Sequence, residues 1–362
     1  MPNHIGYVVL ITVLAIDILA LLYTGGQITL DPVALLAFVA IGLLQVYHLY
    51  FSQISLTSYL VRPAVFIFAG FIIIFVIPNI IEAGEFFDII KWFGIVITIF
   101  GFPILFIDNI GPLTAWRSSN MLPFFNIEFY LLRSIISMPN QAADLIAFSG
   151  IISIYQYLYD DRQYLLPQIA ILCLGLFFTN SRAGYISFGI GVLIIFGLTN
   201  VSKLKGQLLV IGILIGTVSG IIISYSFTNI SFSGRRVLWS ATLQEFRHHP
   251  LFGQGVRHTG EYISEYISDH HQKGSATANS YLRILLTTGL VGLFNYLYVY
   301  YRGVKHVFKE YDNSVLLISL IIPSIVDQMF ESYSFFGLGL TSFLAAVILG
   351  YSLQMSLVRC QP

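Results

Sequence analysis

Hydrophobic runs of about 20 residues recur along the chain and are separated by short polar turns. A run of that length spans the hydrocarbon core of a bilayer as a helix. Runs this long and this uniformly apolar are not barrel strands. The pattern therefore predicts an all-α fold, a polytopic membrane helix bundle of about 11 transmembrane helices in a single integral membrane domain of residues 1–362. The predicted helices cover residues 5–23, 30–51, 63–81, 89–107, 140–159, 164–178, 183–198, 208–226, 280–301, 314–330 and 335–355.

Two stretches interrupt the pattern. Residues 227–279 are polar and are predicted to form a large extracytoplasmic loop between transmembrane helices. Residues 108–138 are apolar without making a full span, which predicts an interfacial or re-entrant segment, with a plain loop on the headgroups as the alternative. The first run has no basic residue before it and no small-residue cleavage site, so we interpret it as a retained helix.

Composition supports the membrane assignment. Hydrophobic residues make up 56% of the chain and charged residues 10%, against about 25% charged in an ordinary soluble domain. The formal net charge of zero gives no sign of a nucleic-acid partner. Cys173 and Cys360 lie far apart, and the first is inside a predicted helix, so we expect no disulfide.

Lysines and arginines in short loops orient the chain, because such residues favour the cytoplasmic side. The basic loop residues place residues 227–279 and Arg182 outside. The outward segments nevertheless carry several arginines, which argue against this orientation unless they bind something anionic. The residues predicted to face the cytoplasm are Lys203, Lys205, Arg302, Lys305, Lys309 and Arg359.

Inside the polar segment, the spacing of apolar residues predicts an amphipathic helix from about Arg235 to His248, with Ser233 as N-cap and Pro250 beyond its end. Leu238, Trp239, Thr242, Leu243 and Phe246 would share its buried face. Arg235 and Arg236 would stand beside the unpaired N–H groups of the first turn. This arrangement suits a phosphate or diphosphate. The alternative is an interfacial helix whose arginines touch lipid headgroups.

Five of the eight histidines lie in the same segment. Their spacing fits no standard zinc pattern and no cysteine joins them, so we predict no metal site. They are either solvated loop residues, or one of them is a general base, since imidazole titrates near neutral pH. The five are His248, His249, His258, His270 and His271.

Ionisable residues inside membrane segments are rare, and we therefore treat each of them as a candidate functional residue. Asp17, Arg182, Asp327 and Glu331 are of this kind. For Asp17 and Asp327 the alternative is a contact between paired helices.

Five short motifs resemble those of the O-antigen ligase and polymerase family, and they occur in the same order along the chain. Each alone is of low specificity, and the first 110 or so residues match only as generic spans. The motifs are Met138-Pro139-Asn140-Gln141-Ala142-Ala143, Thr179-Asn180-Ser181-Arg182-Ala183-Gly184, Ser233-Gly234-Arg235 with Leu238-Trp239, His249-Pro250-Leu251-Phe252-Gly253-Gln254-Gly255, and Asn279-Ser280-Tyr281-Leu282 with Thr288-Gly289-Leu290-Val291-Gly292.

The resemblance implies a glycosyltransferase at the outer face of the cytoplasmic (inner) membrane. Such enzymes take a glycan from a polyprenyl diphosphate carrier and join it to an acceptor hydroxyl, without metal, nucleotide sugar or cofactor. The expected partners are a polyprenyl-diphosphate-linked oligosaccharide as donor and acceptor, membrane lipids, and a flippase or chain-length regulator. By position, Arg182 and Arg235 would be catalytic, stabilising charge on the leaving diphosphate. The expected substrate-binding residues are Arg236, Arg257, His258, Asn140, Asn279 and Glu331.

The chain departs from the family at one position. The family's ligases have His before Asn279, as the presumed base, and here that residue is Ala278. The base would then be His271 (slightly preferred), His270, His258 or Glu331, or the reaction proceeds without strong base assistance. This departure favours a polymerase over a ligase.

The alternative interpretation is that the protein is not an enzyme but a multispan transporter or lipid flippase. Transporters usually show matching halves with broken helices, and no matching halves are visible here.

Overall fold

The computed structural model describes residues 29–51, 56–106, 119–122, 127–132, 136, 138–160, 163–199, 201–226, 234–255, 259–267, 274–311, 314–337 and 339–354. The chain divides into two compact units. The first unit takes in the residues up to Ile80, then Ile211–Tyr311, and the chain from Gln328 onwards. The second unit consists of Ile81–Val210 and Asp312–Asp327.

Helices account for most of the described residues. Short 3₁₀ turns cover Gln163–Leu165 and Ser264–Tyr266, and a π-helical segment, Ile72–Val76, joins α2 to α3. In chain order the helices are α1 (Pro32–Phe51), α2 (Leu56–Phe71), α3 (Ile77–Ile80), α4 (Ala83–Phe106), α5 (Pro139–Tyr159), α6 (Leu166–Thr179), α7 (Arg182–Leu198), α8 (Lys203–Ser226), α9 (Arg235–Phe246), α10 (Thr259–Ile263), α11 (Ser280–Lys309), α12 (Val315–Asp327) and α13 (Leu340–Gln354).

The apolar runs of the sequence become helices close to their predicted positions. Three helical stretches in the described part are long and apolar enough to cross a membrane: Ala83–Pro103, Lys203–Gly220 and Ser280–Lys309. Other apolar helices are shorter, between 10 and 17 residues. The total of about 11 transmembrane helices therefore stays a prediction, and the first of them, residues 5–23, lies outside the described residues.

One element departs from the predicted all-α class. Within residues 108–138, β1 (Ser119–Leu122) pairs antiparallel with β2 (Ile127–Tyr130), with Ser119 opposite Tyr130 and Leu122 opposite Ile127. The strands satisfy each other's backbone groups, which gives this short segment an alternative to a helix. Its placement at a membrane interface stays a prediction.

The basic residues predicted in short loops lie on helices instead. Lys203 and Lys205 stand in the first turn of α8, and α11 continues as far as Lys309. Near the end of α11, Arg302 Nε and His306 Nε2 lie 2.9 and 2.8 Å from Oδ2 of Asp31, whose other oxygen caps α1. Cations near a helix C-terminus are stabilised by the helix dipole, so the basic run prolongs the helix.

The second unit encloses a buried charged group within α4. Nζ of Lys91, whose side chain is 3% exposed, donates to Oδ1 of Asp88 at 2.7 Å and to Oε1 of Gln156 at 2.6 Å. These acceptors offset the cost of removing an ammonium from water. In the same unit, Ser187 on α7 donates to buried Asp327 at 3.3 Å. The helix–helix contact considered for Asp327 is thereby confirmed.

Candidate functional site

Helix α9 begins where the sequence predicts, but with a different cap. Gly234 takes the N-cap position with φ of 78°, a left-handed conformation that glycine adopts without strain. Ser233, the predicted cap, lies outside the described residues. No side chain among the described residues caps this end of α9, and Arg235 and Arg236 follow directly.

The buried face of α9 is narrower than its amphipathic pattern predicts. Leu238, Trp239 and Thr242 are buried, whereas Leu243 is 44% exposed and Phe246 is only partly covered. Burial comes from a cluster in which Leu238 and Ala241 pack with residues of neighbouring elements. That cluster covers one side of the helix, so a residue at the edge of the apolar stripe stays exposed. Its other buried members are Ile263, Ile267 and Leu286.

The central contact of the site joins Arg235 to Glu331. Nη2 of Arg235 lies 2.8 Å from Oε1 of Glu331, and the two side chains are 19% and 20% exposed. A partly buried ion pair of this kind fixes the guanidinium in one direction. Glu331 was predicted to be an ionisable residue of a membrane segment. Helix α12 in fact ends at Asp327, and Glu331 lies in the segment that follows.

The segment carrying Glu331 is tied to the start of α11. Asn279 caps α11 by accepting from Leu282 N at 3.0 Å, and its Nδ2 donates to the Met329 carbonyl at 2.8 Å. Oγ of Ser280 donates to the Glu331 carbonyl at 2.6 Å, and Arg283 donates to the Ser332 carbonyl at 3.0 Å. The polar atoms of Asn279 thus hold the backbone that presents Glu331. The role of Asn279 in substrate binding stays a prediction.

Ala278 sits in a strained conformation beside this junction. Its φ is 49°, in the left-handed region that costs residues other than glycine about 1–2 kcal/mol. Its carbonyl accepts a hydrogen bond from Nε1 of Trp239 at 3.3 Å. Ala278 therefore lies against α9, directly before Asn279, the N-cap of α11.

Two of the motifs meet at a break in α11. Gly289 has φ of 68° and ψ of −166°, which interrupts the helical hydrogen bonds there. The turn of residues 250–255 fills the gap. Gln254 N and Gly255 N donate to the carbonyls of Leu286 and Thr287 at 2.8 and 2.9 Å, and Leu290 N donates to the Pro250 carbonyl at 2.9 Å. The turn thus satisfies backbone groups that the broken helix leaves open.

Glycine is required on both sides of this contact. A Cβ on Gly253 would lie 2.5 Å from the Thr287 carbonyl carbon and from Thr288 N. A Cβ on Gly289 would overlap the Leu251 carbonyl. Both residues also have positive φ, so steric exclusion and backbone conformation demand the same residue type.

A polar network continues from the end of α9. Glu245 accepts hydrogen bonds from Gln254 Nε2 and, at 2.8 Å, from the Tyr266 hydroxyl. That hydroxyl also lies 3.2 Å from Nε2 of His248. The contact with the Glu245 carboxylate raises the pKa of Tyr266. His248 and His249 are exposed, and no group of three or more potential metal ligands occurs among the described residues.

Arg182 and Asn140 belong to the second unit. Asn180 ends α6 with φ of 51°, and Ser181 caps α7 by accepting from Gly184 N at 3.3 Å. This turn presents Arg182, an exposed side chain, in the first position of α7. Gly184 packs on Ala143, so the turn adjoins the first helical turn of α5, which carries Asn140.

The structure therefore brings Arg235, Glu331 and Asn279 together in the first unit. Arg236 lies exposed beside them on α9. Arg283, which donates to the segment that carries Glu331, and Lys91 were not among the predicted site residues, although each is a cation within an apolar run of the sequence. Four predicted site residues lie outside the described residues: Arg257, His258, His270 and His271. Asp17 does as well.

Residues 168–297 match the family model described as O-Antigen ligase. The resemblance inferred from the motifs is thereby confirmed over the stretch that holds Arg182, Arg235, the 250–255 turn and Gly289; Asn140 and Glu331 fall outside it. No curated protein matches the chain. The match and the long apolar helices together identify a membrane protein.

Proposed function

We propose that the protein is a glycosyltransferase at the outer face of the cytoplasmic membrane, and that it joins polyprenyl-diphosphate-linked oligosaccharide repeats into a polysaccharide. The observation that carries this proposal is the match of residues 168–297 to the O-Antigen ligase family. The Arg235–Glu331 pair, at the start of a helix within that match, supports an anionic leaving group.

The reaction transfers a glycan between oxygens. A hydroxyl of the acceptor attacks the anomeric carbon of the donor glycan, and the bond from that carbon to the diphosphate oxygen breaks. The electron pair leaves with polyprenyl diphosphate, and the proton of the attacking hydroxyl passes to a base. Negative charge accumulates on the diphosphate as the bond breaks, so a cation already in place stabilises the transition state more than the ground state.

Arg235 is suited to that role because its guanidinium is oriented before substrate arrives. Among the described residues, Glu331 accepts from one of its five N–H donors, and the rest of the fork has the geometry that diphosphate oxygens accept. Glu331 then acts as a positioning residue for Arg235. Arg182, presented by the capped turn before α7, is the second proposed contact with the diphosphate.

The base is proposed from the loop histidines or from Glu331. His271 precedes Asn279 by eight residues, and the chain between them leads to the cap of α11. Ala278 holds the position where the family's ligases have histidine, and a methyl group takes no proton. Glu331 already accepts from Arg235, which favours a histidine over this carboxylate.

An O-antigen ligase, which transfers glycan to a lipid or protein acceptor, is the second candidate. The description of the matched family favours it. The absence of histidine at Ala278 favours the polymerase. The two differ in the acceptor and therefore in what accumulates when the protein is missing.

Deletion of the gene followed by electrophoresis of the surface polysaccharide separates the candidates. Loss of a polymerase leaves single-repeat product on the surface. Loss of a ligase leaves full-length chains on the carrier lipid. Unchanged surface glycan would contradict both. Purified protein that lengthens a lipid-linked glycan without an energy source would exclude a transporter or flippase.

A further inference from the structure

A cleft of about 500 Å³ opens beside the 250–255 turn, and it has no role in the transfer reaction proposed above. The end of α1 supplies one wall through Tyr47, and the segment after α9 supplies the other described lining residues. The volume falls in the range typical of small-ligand sites. The lining residues are Tyr47, His248, His249, Pro250, Leu251, Phe252, Gly253 and Gln254.

The lining does not suit an anion. The described residues that line it include neither lysine nor arginine, although Arg247 precedes them in sequence. The backbone N–H groups of Gly253 and Gln254 donate to the carbonyls of His249 and Leu286, so they do not form a nest for phosphate. The cleft therefore offers few hydrogen-bond donors to replace the hydration of a diphosphate or a phosphorylated headgroup.

The lining does suit a neutral ligand with many hydroxyls. The rings of Tyr47 and Phe252 are about half exposed, with centroids 6.3 Å apart at 47°. They offer apolar faces to the C–H groups of a sugar ring. The imidazoles of His248 and His249 offer polar edges that hydrogen-bond to hydroxyls. Aromatic surface with a few placed polar groups is the usual composition of a ligand site.

The cleft is also built rigidly. Its floor is the turn held by backbone hydrogen bonds to the broken α11, and the Glu245 network holds Gln254 and Tyr266 on the adjoining side. The Tyr266 hydroxyl contacts His248 at 3.2 Å, which constrains the orientation of that imidazole. A wall fixed before binding lowers the entropy cost of holding a weak ligand such as a sugar.

The cleft and the Arg235–Glu331 pair lie at opposite ends of α9. Arg235 begins this helix and His248 follows its end, so the two lie about 20 Å apart at 1.5 Å per residue. A carrier-linked oligosaccharide with its diphosphate at Arg235 would extend its sugars away from that charge. The cleft therefore lies at a distance that a short oligosaccharide can span.

We propose that this cleft is a glycan-binding subsite for uncharged sugars of the oligosaccharide repeat, remote from the diphosphate. The proposal rests on the proposed glycosyltransferase function and adds the place where the sugar portion is held. Tyr47 and Phe252 stack on the sugar ring, and His248 and His249 hydrogen-bond to its hydroxyls.

The test is calorimetric binding to protein in nanodiscs. The probe is the carrier-free repeat oligosaccharide, released by mild acid from the cell's own lipid-linked intermediate, with inorganic diphosphate and a short-chain phosphatidylcholine in parallel. Tyr47→Ala and His249→Ala should each weaken oligosaccharide binding about tenfold or more, a change of about 1.4 kcal/mol. Tyr301→Ala, which removes another exposed ring from the same unit, should bind as the wild type does.

Several results would overturn the subsite. The first is that the wild-type protein does not bind the oligosaccharide. The second is that Tyr47→Ala, Phe252→Ala and His249→Ala all bind it as tightly as the wild type does. The third is that phosphatidylcholine binds and the oligosaccharide does not. Tyr47 is exposed, so Tyr47→Ala keeps the test valid if Phe252→Ala fails to fold. The proposed function fails separately, when deletion leaves the surface glycan unchanged. Equal binding by the cleft variants together with altered glycan on deletion would reject the subsite and keep the transferase.

Discussion

The pairing of Arg235 with Glu331 changes what each residue can do. An arginine alone at a helix start would sweep a wide volume, and its ordering on binding a ligand would cost entropy. Glu331 at 2.8 Å has already ordered it. The same contact occupies the carboxylate, which makes Glu331 more suited to positioning than to proton transfer.

Removal of either proposed diphosphate contact should reduce turnover severely. We expect Arg235→Ala and Arg182→Ala each to lower the rate of polymer formation about 100-fold or more, the order seen for loss of one charge-stabilising donor. Lysine should rescue neither fully, because it lacks the bidentate fork. Arg247→Ala is the control, since it removes the same charge from an exposed position at the end of α9. Near-normal polymer from both alanine variants at normal expression would end the diphosphate-contact hypothesis.

Glu331 allows positioning to be distinguished from catalysis. If it orients Arg235, Glu331→Gln should retain much of the activity, because the amide oxygen still accepts a hydrogen bond, whereas Glu331→Ala should lose about tenfold or more. If it is the base, both variants should lose about 10²–10⁴-fold. Steady-state rates of the two variants decide between these patterns.

His271 is the preferred base, and we expect His271→Ala to lower turnover about 10²–10⁴-fold with carrier-lipid binding retained. Activity should also fall on the acid side, since a protonated imidazole accepts no proton. Adding Ala278→His to this variant should restore turnover if both positions serve one role. Normal polymer from His270→Ala, His271→Ala and the double variant would rule both histidines out.

At the scale of elements, the break in α11 and the turn of residues 250–255 form one unit of structure. The broken helix leaves open the carbonyls of Leu286 and Thr287, and the turn supplies N–H groups to both. A straight helix would need no such partner. The break therefore fixes where the segment after α9 lies, and with it the cleft at Tyr47.

A pair of glycine variants measures the strength of this contact. Gly253→Ala and Gly274→Ala both place alanine at positive φ, which costs about 1–2 kcal/mol. A Cβ on Gly274 meets open space, whereas one on Gly253 meets the backbone of α11. Gly253→Ala should therefore destabilise the protein by about 1–3 kcal/mol more than Gly274→Ala in thermal unfolding. Equal melting temperatures would show that the turn is held less tightly than its geometry indicates.

At the scale of the whole molecule, the proposed chemistry depends on which side of the membrane each segment faces. The basic residues on α8 and on the end of α11 predict a cytoplasmic location for those ends. Residues 227–279, which include α9, and Arg182 would then face outward. A carrier-linked glycan would meet the enzyme on that side.

Labelling of single cysteines checks this orientation. In a background lacking Cys173 and Cys360, we expect a membrane-impermeant thiol reagent to label Ser264→Cys in intact cells and to spare Ser202→Cys. Disruption of the membrane should expose both, which controls for reactivity. Labelling at position 202 with protection at 264 would contradict the outward placement.

The sequence by itself determined which stretches form helices and, for three of them, the residue at which the helix begins. The predicted helices at 140–159, 183–198 and 280–301 begin within a residue of α5, α7 and α11. Hydrophobic length and the polar residues at helix starts are local properties, so adjacent residues suffice to reveal them. The family resemblance was also visible in short local motifs.

Tertiary structure decided the partners. Glu331 stands 96 residues from Arg235, and no periodicity records which acidic residue an arginine will meet. The fit of the 250–255 turn into α11 depends likewise on the exact approach of two backbones, which a glycine permits but does not specify. Long-range ion pairs and steric fits arise only when distant segments pack together. The sequence could therefore supply the groups of the site, and only the fold could fix their geometry.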